Sequence, residues 1–153
     1  MIFLKCLKSW KKYCPDYEIV RWDESNTNLN ENAYIEEAYK AKKWAFVTDY
    51  VRLNVLYKYG GIYMDTDVEL IKPIDDFVIE KAFTGFESNG GAITGILASE
   101  KELNIFKELL SYYENKHFLV DGKIDVTTNI ISVTNILKKH PSFTSVFLCF
   151  TSI

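Results

Sequence analysis

An α/β fold, a sheet flanked by helices, is what this sequence predicts. Three observations carry the prediction. Residues 48–67, T-D-Y-V-R-L-N-V-L-Y-K-Y-G-G-I-Y-M-D-T-D, pass from helical apolar spacing through a Gly-Gly stop into an alternating, strand-like run. Further helical stretches and short β-prone runs follow one another on both sides of it. A hydrophobic content of 48%, with 15% aromatic residues over 153 positions, is ample to build one domain with a core.

The elements are taken in chain order. Phe3, Leu7, Trp10 and Cys14 recur at helical steps with Lys5, Lys8, Lys11 and Lys12 mostly on the other side, so the chain opens with an amphipathic helix, stopped by Pro15-Asp16. Four lysines on a helix are ordinarily its solvated face; they also suit peripheral contact with an anionic membrane. Residues 17–22 (Y-E-I-V-R-W) read as a strand and 23–32 as a polar loop. Residues 31–44 are helical, with Tyr34, Ile35, Ala38 and Tyr39 inward and acid–lysine pairs at the surface, and lead into 45–47.

In the central stretch Thr48 is the expected N-cap of a helix running to about Tyr59, with Val51, Leu53, Val55 and Leu56 buried. Asp49 and Arg52, three apart, share a face. Gly60-Gly61 ends the helix, because glycine adopts a left-handed cap without steric cost. A strand follows from Ile62, continuing to 71, in which Tyr63, Asp65 and Asp67 face one way. Lys72-Pro73 breaks it, and 74–77 is a turn or short helix. Residues 82–87 and 92–98 are strands; Asn89-Gly90-Gly91 between them is a tight loop, and Gly95 is consistent with a strand that another backbone or a ligand approaches closely. Ser99 with Glu102 forms a capping box for a helix whose buried stripe is Leu103, Phe106, Leu109, Leu110 and Tyr113. His117 is a surface residue. Thr127-Thr128-Asn129 caps a helix over 130–137. Residues 141–153 carry no charge, and such an apolar, β-prone run needs a partner strand or is an aggregation hazard.

The chemistry gathers at Asp-Thr-Asp. Two carboxylates two residues apart on a strand lie roughly 6 to 7 Å from each other, and at an effective dielectric of about 20 their repulsion is on the order of 2 kcal/mol. A divalent cation reverses that sign, since carboxylate oxygens are the ligands hard ions such as Mg²⁺ or Mn²⁺ take. A bare D-x-D is more often a solvated strand end; the helix with its Asp/Arg pair, the Gly-Gly stop and the Tyr-led strand make a far more specific pattern. Arg52 suits phosphate oxygens as a permanent charge with forked geometry, and its simplest alternative is an intrahelical ion pair with Asp49.

Residues 45–67, A-F-V-T-D-Y-V-R-L-N-V-L-Y-K-Y-G-G-I-Y-M-D-T-D, resemble the signature of the D-x-D sugar-transferase family, which takes in yeast-type initiating mannosyltransferases, bacterial capsule and lipopolysaccharide glycosyltransferases and, more distantly, the clostridial glucosylating toxins. S-W-K-K-Y-C-P-D-Y-E-I-V-R-W-D-E-S-N resembles the opening helix and second strand of the bacterial members. The resemblance implies a GT-A nucleotide-sugar-binding fold with a mixed central sheet. It implies transfer from a UDP- or GDP-sugar to a glycan or lipid-linked acceptor, typically with retention, and Mn²⁺ or Mg²⁺ as cofactor. By the same resemblance Asp49 and Arg52 contact the donor sugar and its phosphates and Tyr63 lines the pocket. Asp65 hydrogen-bonds the ribose or sugar, and Asp67, with Asp65 beside it, ligates the metal; Asp65 and Asp67 are the catalytic pair. The implied setting is bacterial and cytoplasmic, in surface polysaccharide synthesis. The family's pattern also has a strand of the type I-P-K-I-I-H-x-x-W ahead of the first helix and a late His- and Trp-containing segment. Neither matches here, so the expectation is a single domain over 1–153 shortened at both ends.

A net charge of −3 gives no basic footprint for nucleic acid. Cys6, Cys14 and Cys149, odd in number and without metal spacing, fit reduced intracellular thiols. No apolar run approaches the ~20 residues of a membrane span. Self-association stays open through the uncharged tail. A second reading keeps the fold without catalysis, as a shortened domain that binds metal or a partner. A third, an aspartate-nucleophile phosphatase of the haloacid dehalogenase type, fits worse. That motif wants Thr or Val where Glu69 stands, and its aspartate should follow an apolar strand rather than a helix and Gly-Gly.

Overall fold

The computed structural model describes residues 2–78, 81–86, 91–125, 129–140 and 144–146. Helices α1 (Ile2–Tyr13), α2 (Ala33–Lys40) and α3 (Trp44–Tyr59) precede strand β1 (Gly61–Met64) and a 3-10 turn at Asp75–Phe77. Strands β2 (Ala82–Phe86) and β3 (Ala92–Ser99), helix α4 (Asn104–Ser111), a hairpin of β4 (Leu119–Val120) and β5 (Lys123–Ile124), helix α5 (Ile130–Lys138) and strand β6 (Thr144–Val146) follow. The α/β expectation holds. The main sheet has the order β1-β3-β2-β6 and is mixed, with β1 and β2 antiparallel to β3 and β6 parallel to β2.

Sheet register sorts side chains into two layers. Tyr63 and Thr84 both pair with Leu97, and this row faces the large core built by α2, α3, α4 and α5. Ile62 and Phe83 both pair with Ala98 and face the opposite side, where Met64, Phe77 and the buried Cys6 and Trp10 of α1 close a smaller core. Helix α3 is central. Every residue from Tyr50 to Leu56 is buried, so it packs on nearly all sides rather than along one stripe. Burying an aliphatic side chain such as Leu53 or Leu56 contributes about 1.5–3 kcal/mol.

Gly-Gly ends α3 as expected. Gly60 has φ 70° and Gly61 φ 97°, and a Cβ on Gly60 would stand 2.8 Å from the Lys101 amide nitrogen, so backbone occupies the space a side chain would need. The run at 141–153 finds the start of its partner in β2, which Thr144–Val146 joins in parallel; the remainder lies outside the described residues.

Five expectations fail. Residues 17–22 form no strand: no ladder partner lies beside them among the described residues, and Ile19 and Val20 are exposed. The helix expected over 31–44 is shorter, because Asn32 caps it by accepting from the Ile35 amide and Lys42, at φ 57°, breaks it before α3 begins. Helix α3 starts at Trp44, placing Thr48 one turn inside, where its hydroxyl donates to Ala45 O rather than capping. Ser99 is used by the sheet, paired with both Gly61 and Ala82, so the Ser99/Glu102 capping box does not form and α4 begins at Asn104. Finally, β1 ends at Met64, well short of 71. Asn89, Gly90, Thr127 and Thr128 lie outside the described residues.

Candidate active site

Arg52 organises the site. It is 5% exposed, and all five of its N–H donors have an acceptor in reach. Nε donates to Thr48 O at 3.2 Å, Nη1 to Thr94 O at 2.5 Å and to Asp65 Oδ2 at 3.5 Å, and Nη2 meets Asp49 Oδ1 at 3.2 Å and Thr48 Oγ1 at 3.5 Å. The guanidinium lies 5.1 Å from the centre of the Tyr63 ring. Tyr63 in turn donates its hydroxyl to Asp65 Oδ1 at 2.6 Å. Asp49, Arg52, Tyr63 and Asp65, named from sequence, therefore form one bonded cluster between α3 and the end of β1.

Electrostatics here follow from burial. Asp49 has a raised pKa because desolvation disfavours its charge, partly opposed by Arg52. Burial also pushes the Tyr63 hydroxyl up, against the pull of Arg52, so it stays protonated and able to donate to Asp65. Behind Asp49 stands a wall of tyrosines: Tyr34 and Tyr113 meet edge-on at 4.9 Å, Tyr50 meets Tyr113 at 5.5 Å, and Tyr113 accepts a hydrogen bond from Asn129. The space for the Asp65 carboxylate comes from Gly95, where a Cβ would stand 3.2 Å from Oδ2. The sequence pointed to a backbone or a ligand at Gly95; the group that approaches is the side chain of Asp65.

Asp67 lies apart from the cluster's hydrogen bonds. Asp65 N still donates to Gly95 O, but Val68 N then turns back to Asp65 O at 3.0 Å, closing a turn over Thr66 and Asp67. Beyond it α1 takes over as the segment's partner: Trp10 Nε1 donates to Val68 O at 2.7 Å and Leu70 N donates to Ser9 Oγ at 2.9 Å. Those contacts replace ladder bonds to β3, so the expected single strand face carrying both acids is not formed. Asp67 is exposed at the turn, and its charge adds to burial in raising the Cys6 thiol on α1.

Among the described residues no group of three or more His, Cys, Asp or Glu stands ready to hold a metal. The donor chemistry nonetheless fits a hard cation. Mg²⁺-type ions commonly take one or two carboxylates and complete their shell with phosphate oxygens and water, a shell the exposed Asp67 can begin.

One feature escaped the sequence reading. A pocket of about 180 Å³ is lined by Trp22, Tyr39, Trp44, Thr48 and Val51, with Asp23 at its edge. Trp44 and Thr48 sit one helical turn apart on α3, and the Thr48 hydroxyl connects the pocket to Arg52. The signal was present in Trp44, four before Thr48 and seven before Val51, but assigning Thr48 as a cap left Trp44 outside the helix. His117, as expected, is a surface residue, set against Glu37 at 2.7 Å.

A family model described as a glycosyltransferase sugar-binding region containing a DXD motif matches residues 3–84, more than half of the chain. An inositol phosphoceramide mannosyltransferase of Schizosaccharomyces pombe is 30% identical over 112 residues, covering 68% of this chain and 32% of that protein. A human alpha-1,4-N-acetylglucosaminyltransferase is 44% identical over 52 residues, 32% of this chain and 15% of that protein. The chain thus spans about a third or less of the curated relatives it matches. No solved structure matches.

Proposed function

The chain belongs to the family of glycosyltransferases with a DXD-containing sugar-binding region, and from that premise we propose that it moves a sugar from a nucleotide-diphospho-sugar to a glycan or lipid-linked acceptor in a GT-A-type site. The observation that carries the reading is the Asp49–Arg52–Asp65 cluster, built on the buried Arg52, linked through Thr48 to an aromatic pocket and followed in the chain by the exposed Asp67. Each part suits one part of such a donor. The pocket walled by Trp22 and Trp44 offers faces on which a nucleobase stacks. Asp49 and Asp65 accept hydrogen bonds from sugar hydroxyls, and Arg52 holds both carboxylates in place; its two 3.5 Å contacts are the ones it can exchange for a phosphate oxygen. Tyr63 orients Asp65 through its hydroxyl.

Asp67, with Asp65, would hold Mn²⁺ or Mg²⁺, which when bound neutralises charge gathering on the departing diphosphate. The lipid-linked acceptor, implied by the family resemblance, gains support from the yeast relative, which is named as a mannosyltransferase of inositol phosphoceramide. Retention and a place in bacterial surface polysaccharide synthesis complete the proposal, on the resemblance of residues 9–26 to bacterial members; the two relatives above are eukaryotic.

The test is a titration of UDP- and GDP-sugars with and without Mn²⁺, on the chain and on Asp67→Ala. Binding that needs Mn²⁺ and is lost in the variant is expected. Manganese-independent binding unchanged in Asp67→Ala overturns the metal assignment. Slow donor hydrolysis, followed as released sugar, separates a catalytic site from one that only binds.

A further inference from the structure

We propose that the outward face of α1, together with Ile71, seats the chain on an anionic lipid surface beside the Asp-Thr-Asp turn. The inference rests on the transferase reading for its purpose but on different residues for its evidence. Helix α1 carries Lys5, Lys8, Lys11 and Lys12 and no acid, in a chain whose net charge is −3. Its inward side is fixed, since Cys6, Ser9 and Trp10 are buried. The outward side therefore presents Leu4, Lys8 and Lys11, spaced four and three apart.

Lysines alone are an ordinary solvated face; the apolar residues among them are not. Leu4 is 51% exposed, Ile2 53% and Ile71 72%. Ile71 shares with Lys5, Lys8 and Lys12 a shallow cleft of about 330 Å³ between α1 and the segment after Asp67. Lys5 is engaged by Glu69 at 2.7 Å and Lys12 by the Tyr13 hydroxyl at 3.1 Å, whereas Lys8 and Lys11 make no hydrogen bond or ion pair among the described residues. Exposed branched aliphatics beside free ammonium groups match the boundary of a bilayer with acidic headgroups, where cations meet phosphate and aliphatic chains enter the acyl edge.

Attachment through this face has a consequence for the site. Trp10 holds Val68 O and Ser9 holds Leu70 N, so α1 is tied directly to the segment that leaves the Asp67 turn. An acceptor whose headgroup stands on the same surface is presented at the rim of the donor site.

The experiment is co-sedimentation of the full chain with phosphatidylcholine vesicles, with and without a large fraction of phosphatidylserine. Binding to the acidic vesicles alone, weakened by salt, is expected. Lys8→Gln with Lys11→Gln should lower the partition coefficient by roughly thirtyfold, from the factor of about five that each lysine supplies near such a surface. Ile71→Ser should lower it with the charge unchanged, and far-UV circular dichroism should show both variants folded. Equal binding to neutral vesicles, no binding to acidic ones, or undiminished binding by the variants overturns the proposal. So does release of the chain from vesicles by inorganic phosphate at constant ionic strength, which would assign the cleft to a free anion. None of these readouts uses the donor, so vesicle binding can fail while donor binding stands, and the reverse.

Discussion

Asp65 rests against Gly95: its amide donates to the Gly95 carbonyl at 2.8 Å, and a methyl group on Gly95 would meet its Oδ2 at 3.2 Å. Backbone and side chain of one acid are thus positioned by a residue that contributes no side chain. Gly95→Ala should leave the fold intact, because alanine in a strand is conformationally less costly than glycine by roughly 0.5–1 kcal/mol. The carboxylate, however, must shift by a few tenths of an ångström, which carries its contact with Arg52, already at 3.5 Å, beyond hydrogen-bond reach. Donor affinity should fall about tenfold at an unchanged melting temperature. An unaltered Kd would mean that the Asp65 carboxylate has no close part in donor binding.

Arg52→Lys conserves charge and discards geometry. Four acceptors converge on the guanidinium from α3, β3 and the residue that follows β1, and one ammonium cannot reach Asp49, Asp65, Thr48 O and Thr94 O together. Stability should drop by about 2–4 kcal/mol, since a buried charge loses partners, and donor binding should weaken further than that loss explains. Chemical denaturation gives the first quantity and calorimetry under native conditions the second. A variant with wild-type values for both would make Arg52 a replaceable cation.

Asp49 supplies a test by pH. Burial raises its pKa above the ordinary carboxylate value despite Arg52. Between the unfolded and folded pKa values the native chain binds more protons than the unfolded one, so this group's contribution to stability is greatest at low pH and declines as pH rises through that interval. Asp49→Asn removes the component. The urea midpoint of the parent minus that of the variant should therefore fall as pH rises from the ordinary carboxylate range and then level off. A difference that grows with pH would show that the Arg52 interaction outweighs desolvation.

What the sequence made legible were features with a local cause. The Gly60-Gly61 stop needs only the backbone freedom of glycine, the Asp49/Arg52 pairing only helical spacing, and the Gly95 contact only a missing Cβ where a strand is crowded. What stayed hidden depends on partners distant in sequence. Thr48 and Ser99 are good caps by type, yet α3 is extended back to Trp44 by packing against α2 and Ser99 is held by two strands. The β1 boundary was unreadable because Trp10 and Ser9, some sixty residues earlier, draw 68–70 off the sheet. The hairpin closed by Asp121-Gly122, with φ of 51° and 73°, also has a local cause in its D-G pair.

The pocket assignment stands or falls on Trp44. Its ring is half exposed, meets Tyr39 edge-on at 5.3 Å and forms one wall beside Trp22. Because Trp44 opens α3 rather than filling the core, Trp44→Ala should cost little stability. Stacking of a base on an aromatic ring is worth about 1–3 kcal/mol, so affinity for UDP or GDP should fall by roughly tenfold or more, and the nucleotide-sugar should lose the same factor. A sugar phosphate without a base should bind the variant and the parent alike. If all three ligands weaken together, Trp44 acts through the position of α3 and Arg52; if none does, the base is held elsewhere.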